Sequence, residues 1–394
     1  MDAGRTGMGR ACWEGPGTEA PGRAERAVPV RLGDRGSGEG RARCAGQAGS
    51  GVPGLADRIS EGKRELIMNR RERVFAVLSG EQPDRTPVGF WMHFSPEAYY
   101  GDEAVKTHIH YFEETQTDIC KIMNECTYPC EHNIQAAADW KRVKVYDRGA
   151  DFIQWQADVI RQVVDQVPDA ATVATIHGVV ASASHTLLGI PRYDSIGRFA
   201  QLYHLRTSPE EVWDAYKKIA HTLCAITEES VKAGADGVYY AALGGERDGF
   251  TDEEHAKYIA PLDQMVIQAA YDAGAKFVIL HMCKPKVKLE RFKDYRCDVV
   301  NWGIQESGVS LLDGHKLFPD QVLLGGLNNQ HGPLIEGSFE ALEREIHQII
   351  AEVGERRFIL GSDCTLPQDL EYGRIAMAAR ACGSYRERGM EKLG

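Results

Sequence analysis

The sequence predicts an α/β protein, a (β/α)8 TIM barrel in a single domain, on two observations. Eight short segments rich in apolar, β-forming residues alternate with longer segments of helical periodicity from Thr86 onward. The strand segments are near-continuous apolar runs, which is typical of parallel strands covered by protein on both faces. Eight such units over roughly 300 residues fit a closed parallel barrel.

The elements can be assigned in chain order. The predicted strands cover Thr86–Phe94, Asp118–Met123, Ala171–Gly178, Gly234–Leu243, Lys276–Cys283, Val299–Ile304, Val322–Leu327 and Phe358–Cys364. The clearest predicted helices cover Pro209–Ala233, Asp252–Ala273, Ser338–Val353 and Asp369–Cys382. An open, doubly wound sheet is the alternative architecture. No Gly-x-Gly-x-x-Gly follows a predicted strand, which disfavours a dinucleotide-binding version of that sheet.

Residues 1–67 differ in composition from the rest of the chain. They hold 15 of the 41 glycines, ten Arg against one Lys, and Trp13 as their one aromatic residue. Such a segment buries too little apolar surface to offset its chain entropy, so it is predicted to be a disordered Gly/Arg-rich leader. An amphipathic helix begins at Met68, and we interpret Met68 as the true start of the protein. The predicted barrel domain is then 68–394.

Composition and charge exclude several classes of function. The formal net charge of −11, with no offsetting basic stretch, argues against a protein that binds nucleic acid through phosphate contacts. No run of 18 apolar residues occurs, so the sequence predicts no membrane-spanning helix. Ten cysteines lie at irregular spacings and no apolar leader is seen, which favours reduced thiols in the cytoplasm.

Polar side chains follow several of the predicted strands, where a barrel carries its chemistry. Asn124 and Glu125 follow the second strand and His177 ends the third, so these three residues are the candidate catalytic residues. His93 follows the first strand and, like His177, is a candidate proton donor. A hydrogen-bonded structural role is the alternative for each histidine.

The strongest group of residues is His281, Cys283 and Cys364. His281 and Cys283 end one predicted strand two positions apart, so their side chains share a face, and Cys364 ends another strand. Two thiolates and one imidazole select zinc, and three protein ligands leave a fourth position for a substrate. Zinc would hold an incoming thiol as the nucleophilic thiolate at neutral pH. The alternative is two small core cysteines and a buried, hydrogen-bonded histidine.

A second set of residues is predicted to bind a cofactor or substrate. Tyr239, Tyr240 and Trp302 could line a pocket for a flat aromatic or methoxylated molecule, although barrel aromatic residues also pack in cores. The run Gly325–Asn328 permits close approach of the backbone to a ligand, which adds Asn328 to the predicted set.

These motifs resemble those of the uroporphyrinogen decarboxylase superfamily, and within it the branch of zinc-containing, corrinoid-linked methyltransferases. The resemblance covers about residues 68–385. It is carried by Arg71-Glu72-Arg73-Val74, Gly80-Glu81-Gln82-Pro83-Asp84-Arg85-Thr86-Pro87-Val88, Gly234-Ala235-Asp236-Gly237, Leu280-His281-Met282-Cys283, Gly325-Gly326-Leu327-Asn328 and Gly361-Ser362-Asp363-Cys364-Thr365-Leu366-Pro367.

The resemblance implies a (β/α)8 barrel and a zinc site. In that branch His-x-Cys and a distant Cys ligate zinc, a pattern that His281, Cys283 and Cys364 match. The implied reaction moves a methyl group between a small-molecule methyl donor or thiol acceptor and a corrinoid. Because this sequence has no corrinoid-binding Asp-x-His-x-x-Gly loop, the corrinoid is expected on a separate partner protein.

Two features depart from the methyltransferase pattern. Lys284 and Pro285 follow the first cysteine, where the motif usually has glycine. The fourth zinc ligand is not identified either, and Glu125, Glu246 and Asp363 are its candidates. Each of the three acids has a capping or salt-bridging role as the alternative.

Two other functions remain as alternatives. Uroporphyrinogen decarboxylases bind their polycarboxylate substrate through arginines near the first strand and use an aspartate after the second. Here no Arg occurs between Thr86 and Trp140, and Asn124-Glu125 stands where the aspartate is expected. A non-catalytic tetrapyrrole-binding barrel is the other alternative, and it would not need His281, Cys283 and Cys364.

Overall fold

The computed structural model describes residues 67–125, 128–129, 133–187 and 195–391, with side chains described up to residue 386. The predicted disordered leader lies outside the described residues apart from Ile67. Its disorder, and the interpretation of Met68 as the true start, therefore stay predictions.

The predicted (β/α)8 barrel is confirmed: eight parallel strands form one sheet with helices around it. The sheet order is β1-β8-β7-β6-β5-β4-β3-β2, and each hydrogen-bonded pair is parallel. The strands are β1 Val88–Gly89, β2 Ile119–Ile122, β3 Ala171–His177, β4 Gly237–Ala242, β5 Phe277–Met282, β6 Val299–Trp302, β7 Val322–Leu327 and β8 Phe358–Ser362.

The helices of the described residues surround this sheet. They are α1 Arg70–Leu78, α2 Gly101–Thr115, α3 Asp151–Gln166, α4 Val179–Ser184, α5 Ser195–Thr207, α6 Pro209–Lys232, α7 Asp252–Tyr258, α8 Ala260–Asp272, α9 Ile304–Ser307, α10 Leu311–Leu317, α11 Phe339–Val353 and α12 Tyr372–Glu391. Short 3-10 helices cover Pro96–Ala98, Ala137–Arg142 and Leu289–Phe292. In the described part of the chain, no helix combines the length and hydropathy needed to cross a bilayer.

All eight predicted strands are present, and two of the four predicted helices differ from their prediction. Asp252–Ala273 was expected as one helix but forms α7 and α8, with the break at Ile259. Pro261 explains the break, because proline lacks an N–H and its ring clashes with the carbonyl four residues earlier. The last helix begins at Tyr372 rather than Asp369 and continues to Glu391.

Alternate residues of each strand face the barrel interior and the surrounding helices. In β2, Ile119 packs in the core that includes the barrel interior, whereas Cys120 and Ile122 pack with residues of α2 and α3. Both faces of the strand are therefore covered, which is why the strands read as near-continuous apolar runs.

A buried ion-pair cluster joins β1 to β2 and closes the barrel at the amino ends of its strands. The backbone N–H of Asp118 donates to the carbonyl of Val88 at 2.8 Å, and the Val88 N–H donates to the Asp118 carboxylate at 2.8 Å. That fully buried carboxylate also accepts from Arg73 at 2.5 Å and from Arg85 at 2.8 Å. Arg73 donates further to Asp84 at 2.6 Å. The motif arginines thus stabilise the end of the barrel opposite to the carboxyl ends of the strands.

We expect Asp118→Asn to destabilise the protein by about 3–5 kcal/mol, because it leaves two guanidinium groups without their buried carboxylate. The denaturant midpoint, combined with the slope of the unfolding transition, measures this loss. Asp158→Asn is the matched control, since Asp158 forms an exposed pair with Arg161 and should change stability by less than about 1 kcal/mol. Equal effects of the two substitutions would contradict the structural role of Asp118.

Candidate metal centre

His281 lies near the carboxyl end of β5, and Asn301 of β6 holds its ring. The two residues are register partners, and the Nδ1 of His281 lies 2.6 Å from the Oδ1 of Asn301. The amide nitrogen of Asn301 donates to the carbonyls of Leu324 and Ser362 at 2.9 and 3.1 Å. The amide oxygen must then accept the proton of Nδ1, which leaves Nε2 of His281 with its lone pair exposed to a ligand.

The two cysteines meet Nε2 of His281 from different strands. Cys283 directly follows β5, and Cys364 comes two residues after β8. The two sulfurs lie 3.9 Å apart, and the sulfur of Cys364 lies 3.5 Å from Nε2. The three ligand atoms all lie within 4.8 Å of one another. The structure therefore brings together the three residues that the sequence selected as metal ligands.

These distances fit a tetrahedral zinc ion. Bond lengths of about 2.3 Å to sulfur and 2.0 Å to nitrogen place two ligand sulfurs about 3.8 Å apart and a sulfur and a nitrogen about 3.5 Å apart. Both values are close to the spacings of Cys364 from Cys283 and from His281. The third spacing, between the donors of His281 and Cys283, is within 4.8 Å, so rotation of a side chain would bring all three donors onto one ion, and the donor set suits zinc.

The surroundings of Cys364 favour its thiolate. A hydrogen bond from the thiol of Cys283 lowers the pKa of Cys364 well below its usual value, against the opposing effect of burial. One cysteine is therefore prepared as an anionic ligand.

A second polar group lies at the same end of the barrel around Glu125. The carboxylate of Glu125 lies 2.8 Å from Nδ1 of His93. Burial alone would raise the pKa of Glu125, but the hydrogen bond to His93 lowers the pKa overall. His177 is buried at the end of β3, where desolvation holds its pKa well below the usual value. Asn124 is also buried, and among the described residues its Oδ1 has no hydrogen-bond partner.

The four residues of the predicted cofactor set have different surroundings. Tyr239 faces the barrel interior, and its ring stacks on His281 with 5.3 Å between centroids and 24° between planes. Tyr240 faces outward, where its hydroxyl donates to Asp263 of α8. Trp302 packs toward α10, and its indole N–H donates to the carbonyl of Val309. Of these three aromatic residues, only Tyr239 contacts the site.

Asn328 holds a turn after β7. Its side-chain oxygen accepts from the N–H groups of Gln330 and His331 at 2.8 and 2.9 Å. Its amide nitrogen donates to Gln305 at 3.1 Å. These bonds give Asn328 a structural role at the rim of the barrel.

The candidate fourth ligands have other contacts. Glu246 forms an ion pair with Arg198 and accepts from the N–H of Gly244. Asp363 accepts from backbone N–H groups at the start of α9, and burial raises its pKa to about 7. Glu125 is bonded to His93. Within the described residues, the group with metal-ligand spacing consists of His281, Cys283 and Cys364.

Sequence reasoning missed two residues at this end of the barrel, Asn301 and Lys121. Both are polar residues inside short strands whose other members are largely apolar, and both are buried. A polar residue that interrupts such a strand was a usable signal, because a buried polar group needs a partner. The partner itself depends on strand register, which the sequence did not reveal.

Lys284 adopts a backbone conformation that favours glycine. Its φ is 87°, in the left-handed region, immediately after the candidate ligand Cys283. The chain turns sharply there, which accounts for the glycine that the methyltransferase motif usually places at this position. A side chain in that conformation costs on the order of 1 kcal/mol.

Eight parallel strands with thiol and ionisable side chains at their carboxyl ends are the arrangement of a barrel enzyme. The model of the uroporphyrinogen decarboxylase (URO-D) family matches residues 122–385. The chain therefore belongs to the uroporphyrinogen decarboxylase family.

Many solved structures share this fold, among them the following two. A methyltransferase from Methanosarcina mazei superimposes with a TM-score of 0.65 at 16% identity, covering 81% of this chain and 99% of its own. A B12-independent methionine synthase from a Shewanella species, in complex with selenomethionine, gives a TM-score of 0.51 at 11% identity, covering 79% and 96%. At these identities the likeness concerns the fold. A comparison with curated protein sequences gave no match.

We expect Lys284→Gly to stabilise the protein by about 1 kcal/mol, because glycine adopts a positive φ without strain. Chemical denaturation measures the change. Lys293→Gly is the control: its φ of −58° is ordinary, so glycine there should lower stability by up to about 1 kcal/mol. A loss of stability in both variants would contradict strain at Lys284.

Asn301→Ala should weaken zinc binding by about 10- to 100-fold, because the ring of His281 loses the group that fixes its tautomer and orientation. Competition with a chromogenic chelator measures this affinity. The control is Asn328→Ala, which removes a rim amide whose bonds, among the described residues, go to its own turn and to Gln305. Unchanged affinity in Asn301→Ala would show that the imidazole is held by other contacts.

Proposed function

We propose that this protein is a zinc-dependent methyltransferase that moves a methyl group between a small donor or thiol acceptor and a corrinoid carried on a partner protein. The observation that carries the proposal is the convergence of one imidazole nitrogen and two sulfurs within 4.8 Å at the carboxyl end of the barrel. A three-ligand set of this kind leaves the fourth position of zinc open, as in catalytic sites.

The family and its relatives support this assignment. The chain belongs to the uroporphyrinogen decarboxylase family, and two of the structures that share its fold are named a methyltransferase and a B12-independent methionine synthase. Each of those names describes the transfer of a methyl group or the synthesis of a thioether. The donor set His281, Cys283 and Cys364 adds the chemistry that a fold alone does not supply.

The residues around the centre would hold it in one geometry. Zinc bound there would act as a Lewis acid that keeps a substrate sulfur or other heteroatom at its open position. Asn301 orients His281 so that Nε2 faces the ion, and Cys364 contributes a sulfur whose thiolate is already favoured. Tyr239 covers one face of the imidazole and limits its rotation.

The polar residues around Glu125, at the ends of β2 and β3, would exchange protons with the substrate. His93 retains 27% of its side-chain exposure and is bonded to the nearly buried Glu125. In this proposal His93 exchanges a proton with the substrate while Glu125 orients the ring and stabilises its charged form. His177 and Asn124 are buried beside this pair and would line the same polar surface.

This proposal implies a corrinoid-carrying partner protein and a reducing cellular compartment. The corrinoid would arrive on a separate protein, because the sequence lacks the motif that would bind it. The six cysteines of the described residues are all free, which agrees with a reducing compartment, and we propose the cytoplasm.

Decarboxylation of a polycarboxylate tetrapyrrole is less well supported. Arg73 and Arg85, the arginines nearest to β1, bind Asp118 at the opposite end of the barrel. These guanidinium groups therefore cannot pair with substrate carboxylates at the carboxyl ends of the strands.

Zinc analysis of three purified proteins tests the proposal. We expect about one zinc per chain in the wild type, and a loss of at least tenfold in zinc affinity in both Cys283→Ser and Cys364→Ser, because a hydroxyl replaces a thiolate ligand. The rate of methyl transfer from methylcobalamin to a small thiol should fall in parallel. This rate is measured as the decrease in methylcobalamin absorbance with time.

Cys224→Ser provides the control, since Cys224 lies on α6 away from the centre and its thiol contacts the carbonyl of Met265. Its zinc content and methyl transfer should match those of the wild type. Equal zinc content in all four proteins would exclude the proposed centre.

A further inference from the structure

Lys121 of β2 extends its amine into the barrel interior. The residue is only 7% exposed, and its Nζ lies 2.9 Å from the sulfur of Met123. The amine also lies 4.3 Å from the ring centroid of Tyr239 and 5.4 Å from that of Trp91. Among the residues that the structure describes, no carboxylate lies within ion-pair distance of this amine.

A buried ammonium in such surroundings is costly to the fold. Aromatic faces and a thioether attract a cation only weakly, and they do not replace its hydration. Burial accordingly lowers the pKa of Lys121 to about 7, against the opposing effects of Glu125 and Cys364. The carboxylate of Glu125 is bonded to His93 instead. An apolar residue would stabilise the fold better, so the amine is expected to serve a ligand.

The amine lies close to the candidate metal centre, behind one aromatic ring. The amine lies over one face of the Tyr239 ring, and the same ring stacks on His281 with 5.3 Å between the ring centroids. These two spacings put the amine within about 10 Å of the imidazole. In a water-poor interior, a charge at that distance retains an interaction worth about a tenfold change in affinity.

The charge of the centre with metal and ligand bound explains why a cation such as Lys121 lies near it. A divalent ion bound by two thiolates and one neutral imidazole has no net charge, and an anionic fourth ligand makes the centre negative. We propose that Lys121 is the buried counter-charge for that anion, and that it makes the centre select a thiolate over a neutral ligand. This inference rests on the proposed metal centre. Lys121 acts as a positioning residue through electrostatics and does not touch the metal.

Cobalt-substituted protein allows ligand binding to be measured directly. Two probes are titrated into the protein at about pH 7. Binding of 2-mercaptoethanol is measured by its sulfur-to-cobalt charge-transfer band, and binding of imidazole is measured by the ligand-field bands of cobalt. Lys121→Met and Lys121→Gln remove the charge, and Lys121→Arg keeps it. Lys106→Met is the control, since it removes a charge from a side chain that is 71% exposed.

We expect Lys121→Met and Lys121→Gln to bind 2-mercaptoethanol about tenfold more weakly than the wild type, with unchanged affinity for imidazole. Lys121→Arg should retain most of the thiol affinity, and Lys106→Met all of it. The metal-free Lys121→Met chain should unfold at the same or a higher denaturant concentration than the wild type, because it buries no charge.

Two results would overturn the inference. One is wild-type affinity for 2-mercaptoethanol in both neutral variants, and the other is an equal loss of affinity for both probes. Failure of the wild-type chain to bind cobalt would instead contradict the proposed centre itself. The experiment therefore distinguishes an error about Lys121 from an error about the metal site.

Discussion

The side chain of Asn301 is the interaction on which the candidate site depends. This buried amide of β6 contacts three other strands: it accepts from His281 of β5 and donates to carbonyls of Leu324 in β7 and Ser362 in β8. Cys364 follows β8 and Cys283 follows β5. The amide therefore sets the relative position of the two chain segments that carry the sulfurs, as well as the ring between them.

The two ends of the barrel use charged residues in opposite ways. At the amino ends of the strands, Asp118 and Asp84 pair with Arg73 and Arg85 in a cluster whose charges cancel. At the carboxyl ends, thiols, histidines and acids lie within reach of one another and of a ligand. This division is characteristic of (β/α)8 barrels, in which one face stabilises and the other performs chemistry.

The barrel and the three candidate ligands were accessible from the sequence because both depend on local patterns. Apolar runs separated by helical segments define the strands, and His281 and Cys283 at the end of one run share a face by simple alternation. The contacts of Asn301 depend on register across four strands, and the position of Lys121 depends on rings contributed by β4 and the segment after β1. Such long-range pairings leave no periodic trace in a single sequence.

Two adjacent tyrosines of β4 show that the candidate site depends on which face of the strand each residue occupies. Tyr239 separates the amine of Lys121 from the imidazole of His281, while Tyr240 anchors the sheet to α8. Removing one residue from the start of this strand would exchange the two positions, because side chains alternate between faces. Tyr240 would then turn inward and its hydroxyl would lose its bond to Asp263, so the interior of this barrel tolerates substitutions more readily than insertions or deletions.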